Sequence, residues 1–430
     1  MSIAALAGPH QHELLLLYTL LQLTVIVLAA RIGGAVARRY GQSAAVGEIL
    51  IGILLGPSLF GWIAPRTFDF VFHSAPPEAL QILSGLGLVL LMFQIGMEFD
   101  FAHLEQPASR GAVLRVSLAC LVFPFAGGFA LAYFTAPGEA PPAARLNSAL
   151  FVATAFSITA LPILGRIMIE LNMSGSKIGV IAIAAAALND VVGWLLLALV
   201  TALSVSDFVP GRFALEVLLV LLFAVVSIKV VRPIVKRAVR RSEPRDGRMS
   251  PNLLGGLLVV VFLGAMATAE IGIFALFGGF MMGVILFDEP ELVAAWRGRI
   301  GDFVTVFFLP IFFTYTGLRT SIGSLDTRAD WALCFAVVAV ATVTKLGGAY
   351  WAARRSGFDH SEAAMIGFMM NTRGLVELIV INVGFDLGVI SSKMFTVLVV
   401  MAIVSTVITT PALRRYLRQT GRVPLAARAQ

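Results

Sequence analysis

Stretches of roughly twenty residues without a single Asp, Glu, Lys or Arg recur along this chain, at 116–138, 146–165, 249–269 and 394–413 among others. Each is long enough for an α-helix to cross the hydrocarbon of a bilayer. The composition agrees with a lipid environment. Of the 430 residues, 58% are hydrophobic and 13% charged, about half the charge of an ordinary soluble domain. The same apolar content excludes a disordered chain. In lipid the backbone polar groups must be satisfied within the segment, so the expected fold class is an all-α polytopic membrane protein.

The pattern of apolar runs and polar loops predicts about 13 transmembrane helices, at 14–31, 43–63, 79–98, 111–134, 146–170, 176–203, 211–235, 252–268, 271–287, 300–319, 329–353, 361–385 and 392–411. An odd number places the termini on opposite sides. No Lys or Arg precedes Arg31, so the first span reads as an anchor rather than a cleaved leader. With the N-terminus outside and the C-terminus cytoplasmic, the inner loops collect most of the 32 Lys and Arg, including the run from Lys236 to Arg248. This is the bias expected of a membrane protein with its basic loops on the cytoplasmic side. The net charge of +7 is therefore assigned to orientation in the bilayer, and no nucleic acid partner is expected. That basic run also separates six spans and a linker helix from six more, an organisation that predicts an inverted repeat of six plus six. Cys120 and Cys334 lie inside apolar runs without a Cys or His cluster, so neither a disulfide framework nor a zinc site is expected.

Ionisable residues within a span are costly and mark function by default. Asp190 lies mid-span in IAIAAAALNDVVGWLLLAL, with Asn189 beside it. The alternative is a structural acid bonded to a neighbouring helix, although an amide would serve that purpose with less desolvation. Lys345 lies two-thirds along FAVVAVATVTKLGGAYW, and its alternative is a side chain reaching back to the headgroups. Two spans carry small and polar residues at mid-helix: Thr154, Ser157 and Thr159 ahead of Pro162, and Asn371, Thr372, Arg373, Gly374 and Glu377 in MNTRGLVELI. Pro162 lacks an amide proton and frees a carbonyl near Ile158. Interrupted helices at corresponding places in two halves predict a midplane site built of freed carbonyls. Arg373 and Glu377, spaced i, i+4, can pair on one helix face; a structural pair holding the break is as good a reading as direct ligation, so their role is a supporting one.

A carboxylate is disfavoured as an anion in a medium of low polarity, so a proton competes for it. A small hard cation wants oxygen ligands, and Asp190, Asn189 and Thr159, with Ser157, supply them. If proton and cation exclude each other, and the site changes sides only when occupied, the result is antiport by alternating access. No GxxxxGK[ST] loop is present, so the energy source is an ion gradient. The rival readings are a Na+-coupled symporter of an organic anion and a cation channel. An enzyme is not expected, because HExxH and GxSxG are absent, and no cofactor is called for beyond the transported Na+ or K+ and H+.

The chain resembles the monovalent cation:proton antiporter-2 family through VGEILIGILLGPSLFG (46–61), LMFQIGMEFD (91–100), FSITALPILGRIMIELNM (156–173), AAAALNDVVGWLLLAL (184–199), IGIFALFGGFMMGV (271–284), LPIFFTYTGLRT (309–320) and MNTRGLVELIVINVG (370–384). The resemblance implies a homodimer that exchanges Na+, with K+ or Li+ as alternatives, for H+. It implies dimerisation bundles at 1–103 and 251–320, transport-core segments at 104–204 and 321–415, a linker helix with its basic loop at 205–250 and a short tail at 416–430. It also implies crossed, discontinuous helices in the core, with Asp190 at the crossing and Lys345 beside it. Many relatives have two acids where this chain has Asn189 and Asp190, and there the first acid is thought to pair with the lysine. Asn189 cannot, so one titrating carboxylate and electroneutral 1:1 exchange are expected. Phe274 stands where relatives often have His, which argues against His-based sensing there. About twenty residues follow the last span, so nucleotide control through an attached domain is not expected. The segment Glu98, Asp100, His103, Glu105 is either a cytoplasmic pH sensor or a solvated polar loop, and the second reading is preferred.

Overall fold

A computed structural model describes residues 10–98, 107–135, 142–171, 173, 176–205, 210–242, 249–272 and 275–419. Asp100, His103, Glu105, Phe274, the end of the basic run from 243 and the tail beyond 419 lie outside the described residues. Among the described residues the structure is helical, with no strand. In the first half the helices are α1 (His10–Arg39), α2 (Ala44–Leu54), α3 (Phe60–Ile63), α4 (Pro65–Phe72), α5 (Glu78–Glu98), α6 (Pro107–Thr135), α7 (Pro142–Ser157), α8 (Leu161–Glu170), α9 (Lys177–Val205), α10 (Pro210–Val226) and α11 (Arg232–Ser242). The second half contains α12 (Pro251–Ile271), α13 (Ala275–Val284), α14 (Pro290–Trp296), α15 (Leu309–Leu318), α16 (Arg328–Arg355), α17 (His360–Met370), α18 (Leu375–Asp386) and α19 (Ser392–Gln419).

Among the described residues, eight helices are long and apolar enough to cross a bilayer, or nine if Pro290–Gly301 and Val304–Ser324, bent by 43°, form one span. The thirteen expected spans are not counted out by this measure, because several of them are built from short pieces. Two of the expected spans are interrupted at mid-length: α7 and α8 are separated by Ile158, Thr159 and Ala160, and α17 and α18 by Asn371 to Gly374.

The chain forms two compact units. One comprises 1–32, 51–100 and 209–319. Its helices approach closely where both partners lack a side chain: a Cβ on Gly96 of α5 would lie 2.2 Å from the Phe280 carbonyl oxygen, and one on Gly283 of α13 would lie 2.1 Å from that of Phe93. Small residues at such positions replace the hydrophobic drive that lipid removes with close van der Waals packing. A second contact is apolar, where Ile26, Phe68, Val71, Phe72, Leu80 and Ile311 bury one another. The unit also carries a charged cluster after α13: Asp288 accepts from Arg232 at 2.6 Å and from Lys236 at 2.5 Å, while Lys236 lies 3.2 Å from Glu289.

The other unit comprises 33–50, 101–208 and 320–430. Here α6 packs along α7 and α16, α9 contacts α6, α7 and α17, and α19 lies against α16, α17 and α18. Both interrupted helices belong to this unit. Two of its long helices contain an internal proline, Pro124 in α6 and Pro411 in α19. Each removes the donor for the carbonyl four residues earlier. The carbonyl below Pro411, that of Val407, accepts instead from the Gln42 side chain at 3.0 Å.

Partial burial alone would raise the Asp288 carboxyl, but the hydrogen bonds from Lys236 and Arg232 outweigh it and hold the group below its usual range. A carboxylate depressed in this way adds stability above its unfolded value near 4 and loses it as the pH falls through the folded one. Asp288→Asn is expected to lower stability at pH 7 by about 1 kcal/mol or less. Thermal unfolding in detergent should show that difference shrinking at high salt and on acidification.

Candidate functional site

Interrupting a helix in lipid releases carbonyl oxygens that water cannot reach. The geometry of this site follows from how those oxygens are satisfied. The two breaks cross and bond to each other: the Ala160 amide donates to the Thr372 carbonyl at 3.0 Å, and the Thr159 hydroxyl to the Met370 carbonyl at 3.2 Å. The crossing expected of the two polar spans is thus present. Gly374 closes the second break at φ +144°, a region that side chains rarely adopt, and a Cβ there would stand 2.4 Å from Ile163 Cδ1.

Two buried cations donate to further carbonyls around the breaks. Lys345 on α16 is fully buried and donates to the Cys120 carbonyl at 3.0 Å and to the Ser157 carbonyl. The first oxygen is the one Pro124 strips of its helical donor, and the second belongs to the last residue before the α7 break. Arg373, within the other break, donates to the carbonyls of Ala155 at 3.2 Å and Ala341 at 3.1 Å. Its guanidinium also pairs with Glu377 at 3.1 Å, with both side chains fully buried, and lies over the Phe156 ring at 5.7 Å from its centre. The expected i, i+4 pair is therefore formed, and Lys345 points inward rather than to the headgroups. Thr406 of α19 holds the same break from its other side, bonding both the Arg373 amide and carbonyl.

Asp190, on α9, is 2% exposed. The Leu161 amide at the start of α8 donates to its carboxylate, while its Oδ1 has no hydrogen-bond partner. The field of Lys345 reaches it, yet the lysine's hydrogen bonds go to carbonyls. Asn189 is buried beside Asp190 and accepts from the Ser117 hydroxyl at 2.6 Å, leaving its Nδ2 without a partner. Ser157 donates to the carbonyls of Ala153 at 2.8 Å and Leu121 at 3.1 Å. The hydroxyl protons of Ser157 and Thr159 are thus committed to carbonyls, and their lone pairs remain for a ligand. Asn189, Asp190, Ser157, Thr159, Lys345, Arg373 and Glu377 all belong to one unit, together with both breaks.

The sequence reading passed over Ser117, Thr406 and Glu48. Ser117 is one hydroxyl in a long apolar run, the same signal that Thr154 and Ser157 carried. Glu48 on α2 is 1% exposed, an acid in an apolar segment, with Gly34 leaving room for its carboxylate. Pro124 carried a further signal, since it names the Cys120 carbonyl as one in need of a donor.

The transmembrane sodium/hydrogen exchanger profile matches residues 25–419. The chain belongs to the sodium/hydrogen exchanger family. It is 37% identical to the Na+/H+ antiporter NhaS4 of Synechocystis, over 92% of this chain and 96% of that one. With the cation/H+ antiporter 17 of Arabidopsis thaliana it shares 35% identity over 94% of its own length, and it spans about half (48%) of that plant protein. The Na+/H+-K+ antiporter GerN of Bacillus cereus is 26% identical over 91% of this chain and 95% of that one. The fold is that of the sodium proton antiporter MjNhaP1 of Methanocaldococcus jannaschii, with a TM-score of 0.66 at 13% identity, covering 93% of this chain and 96% of the other.

Removing one partner of a buried ion pair leaves the other charge uncompensated, so Arg373→Ala is expected to cost about 3–5 kcal/mol. Arg373→Lys, which keeps the charge but not the fork of donors, should recover part of it. Gly374→Ala should lose about 1–3 kcal/mol through its strained backbone, in addition to the clash with Ile163. Thermal unfolding of the purified variants in detergent reads all three; wild-type melting of Arg373→Ala would remove the guanidinium from the support of the break.

Proposed function

We propose that this member of the family is a secondary active antiporter that exchanges a monovalent cation, Na+ first with K+ or Li+ as alternatives, for H+ by alternating access and one for one. The observation that carries the reading is a buried carboxylate, Asp190, beside two crossed helix breaks, with one oxygen unpartnered. In lipid such an oxygen is unstable unless it takes a proton or a cation, and one carboxylate takes one or the other. Asp190 is the exchanging group. Asn189 and Thr159 supply further oxygen ligands, and Ser157 completes or positions the shell. Lys345 and Arg373 hold the freed carbonyls, and Lys345 keeps a positive field close to the carboxylate. With Asn189 neutral and Glu377 paired to Arg373, Asp190 is left as the exchanging acid, which supports one charge exchanged per cycle.

The names of the relatives support a cation exchanged for H+. The protein is further proposed to act as a homodimer in a bacterial inner membrane with its N-terminus outside, the orientation that the basic loops favour. Within that assembly the segments 1–103 and 251–320 would form the dimerisation bundle, and 104–204 and 321–415 the transport core.

Reconstituted into proteoliposomes with an imposed pH gradient, the wild-type protein should collapse the gradient on addition of Na+, and the rate should not depend on a clamped membrane voltage. Asp190→Asn, nearly isosteric, should lower that rate at least about 100-fold while leaving a folded protein; a rate equal to wild type would overturn the proposal. Voltage dependence would overturn the one-for-one stoichiometry alone.

A further inference from the structure

Asn189 and Asp190 leave two buried polar atoms without partners side by side in sequence: the amide Nδ2, a donor, and the carboxylate Oδ1, an acceptor. They do not bond to each other. On α6 the Ser117 hydroxyl, itself buried, holds the amide through its oxygen at 2.6 Å. With its oxygen engaged by Ser117, the amide has only its donor end unclaimed, whereas a bound cation needs its oxygen. From this arrangement we infer that Ser117 is the positioning residue of the exchange site, setting which end of the Asn189 amide is offered to the cation. The inference deepens the antiport reading and rests on it.

A hydroxyl donates one hydrogen bond and accepts others. Ser117 can therefore hold the amide by its oxygen when the carboxylate is empty of metal. It can hold the same amide by its NH2 group when the carbonyl oxygen swings to the cation. The orientation seen here satisfies the amide oxygen and leaves Nδ2 without a partner, whereas the swung one would satisfy both ends, the oxygen on the cation and the NH2 group on Ser117, so cation binding relieves a buried unpaired donor. Neither an aliphatic residue nor a pure donor offers both bonds. Ser117 touches neither ion; it acts through Asn189, and its effect should appear in cation affinity and selectivity rather than in the presence of exchange.

The test is a double-mutant cycle read in two ways: the cation concentration giving half-maximal exchange in proteoliposomes, and the upward shift of the melting temperature that Na+, K+ or Li+ produces in detergent. Ser117→Ala should raise the half-maximal Na+ concentration about fivefold to tenfold, with a smaller change in maximal rate, and should alter the ratio of Na+ to Li+ affinities. Ser117→Thr, which keeps the hydroxyl, should stay within about twofold of wild type. In an Asn189→Ala background, Ser117→Ala should have no further effect on affinity, because the group it positions is gone. Two results overturn the inference: unchanged affinity in Ser117→Ala, or the same affinity loss with and without the Asn189 side chain, which marks a packing role. If the wild-type protein shows neither exchange nor a cation-dependent melting shift, it is the antiport reading that fails, and this inference with it; wild-type exchange with an indifferent Ser117 sinks the inference alone.

Discussion

A carbonyl oxygen released inside a membrane has no water to turn to, and the core of this protein is arranged around that fact. Three interruptions release such oxygens in one neighbourhood: Pro124 in α6, the break at 158–160 and the break at 371–374. The donors that answer them are each other's backbones, the Ser157 and Thr159 hydroxyls, and two buried cations. Lys345 and Arg373 are therefore more than charges near a carboxylate. Each donates to at least one carbonyl that an interruption deprives of its helical donor, Cys120 and Ser157 for Lys345 and Ala155 for Arg373, and this explains how a pair of positive groups is tolerated where burial would otherwise exclude them.

The same arrangement explains why Asp190 stands apart. Arg373 is committed to Glu377 and to two carbonyls, and Lys345 to two carbonyls. Neither cation has collapsed onto Asp190. A carboxylate with a positive field nearby but an oxygen unclaimed is poised between a proton and a metal cation, which a salt-bridged carboxylate is not. Among the described residues of the other unit, no buried charge stands at a helix break. That unit relies on close glycine contacts between α5 and α13 and on a small apolar cluster, the packing suited to helices that have no buried charge to shelter.

Much of the site was legible in the residues because lipid makes exceptions visible. An Asp in a run of alanines and leucines, a Lys far from either end of a helix, and polar residues in the middle of two spans all violate the rule that lipid-facing helices are apolar. The interrupted helices followed from that violation together with Pro162 and Gly374. What escaped was of two kinds. Ser117 and Thr406 are single hydroxyls, and a hydroxyl in a membrane helix commonly bonds its own turn, so nothing in the sequence separates a reaching one from a self-satisfied one. The carbonyls of Cys120, Ala155, Ser157 and Ala341 escaped because every residue has one. Only Pro124 pointed to any of them.

By itself the sequence determined that this chain resides in a membrane, that its spans are helical, that two of them are disturbed at mid-length and that one carboxylate lies among apolar neighbours. These follow from hydrophobicity, length and the missing amide proton of proline, properties read along a line. Tertiary structure alone decided which oxygen each donor meets. Lys345 joins Cys120 and Ser157 across 225 and 188 residues of chain, and Ser117 meets Asn189 across 72. Such pairings depend on how α6, α7, α9 and α16 pack, and helix packing in lipid is settled by the fit of small residues and by the need of each buried polar group for a partner, neither of which a one-dimensional pattern contains.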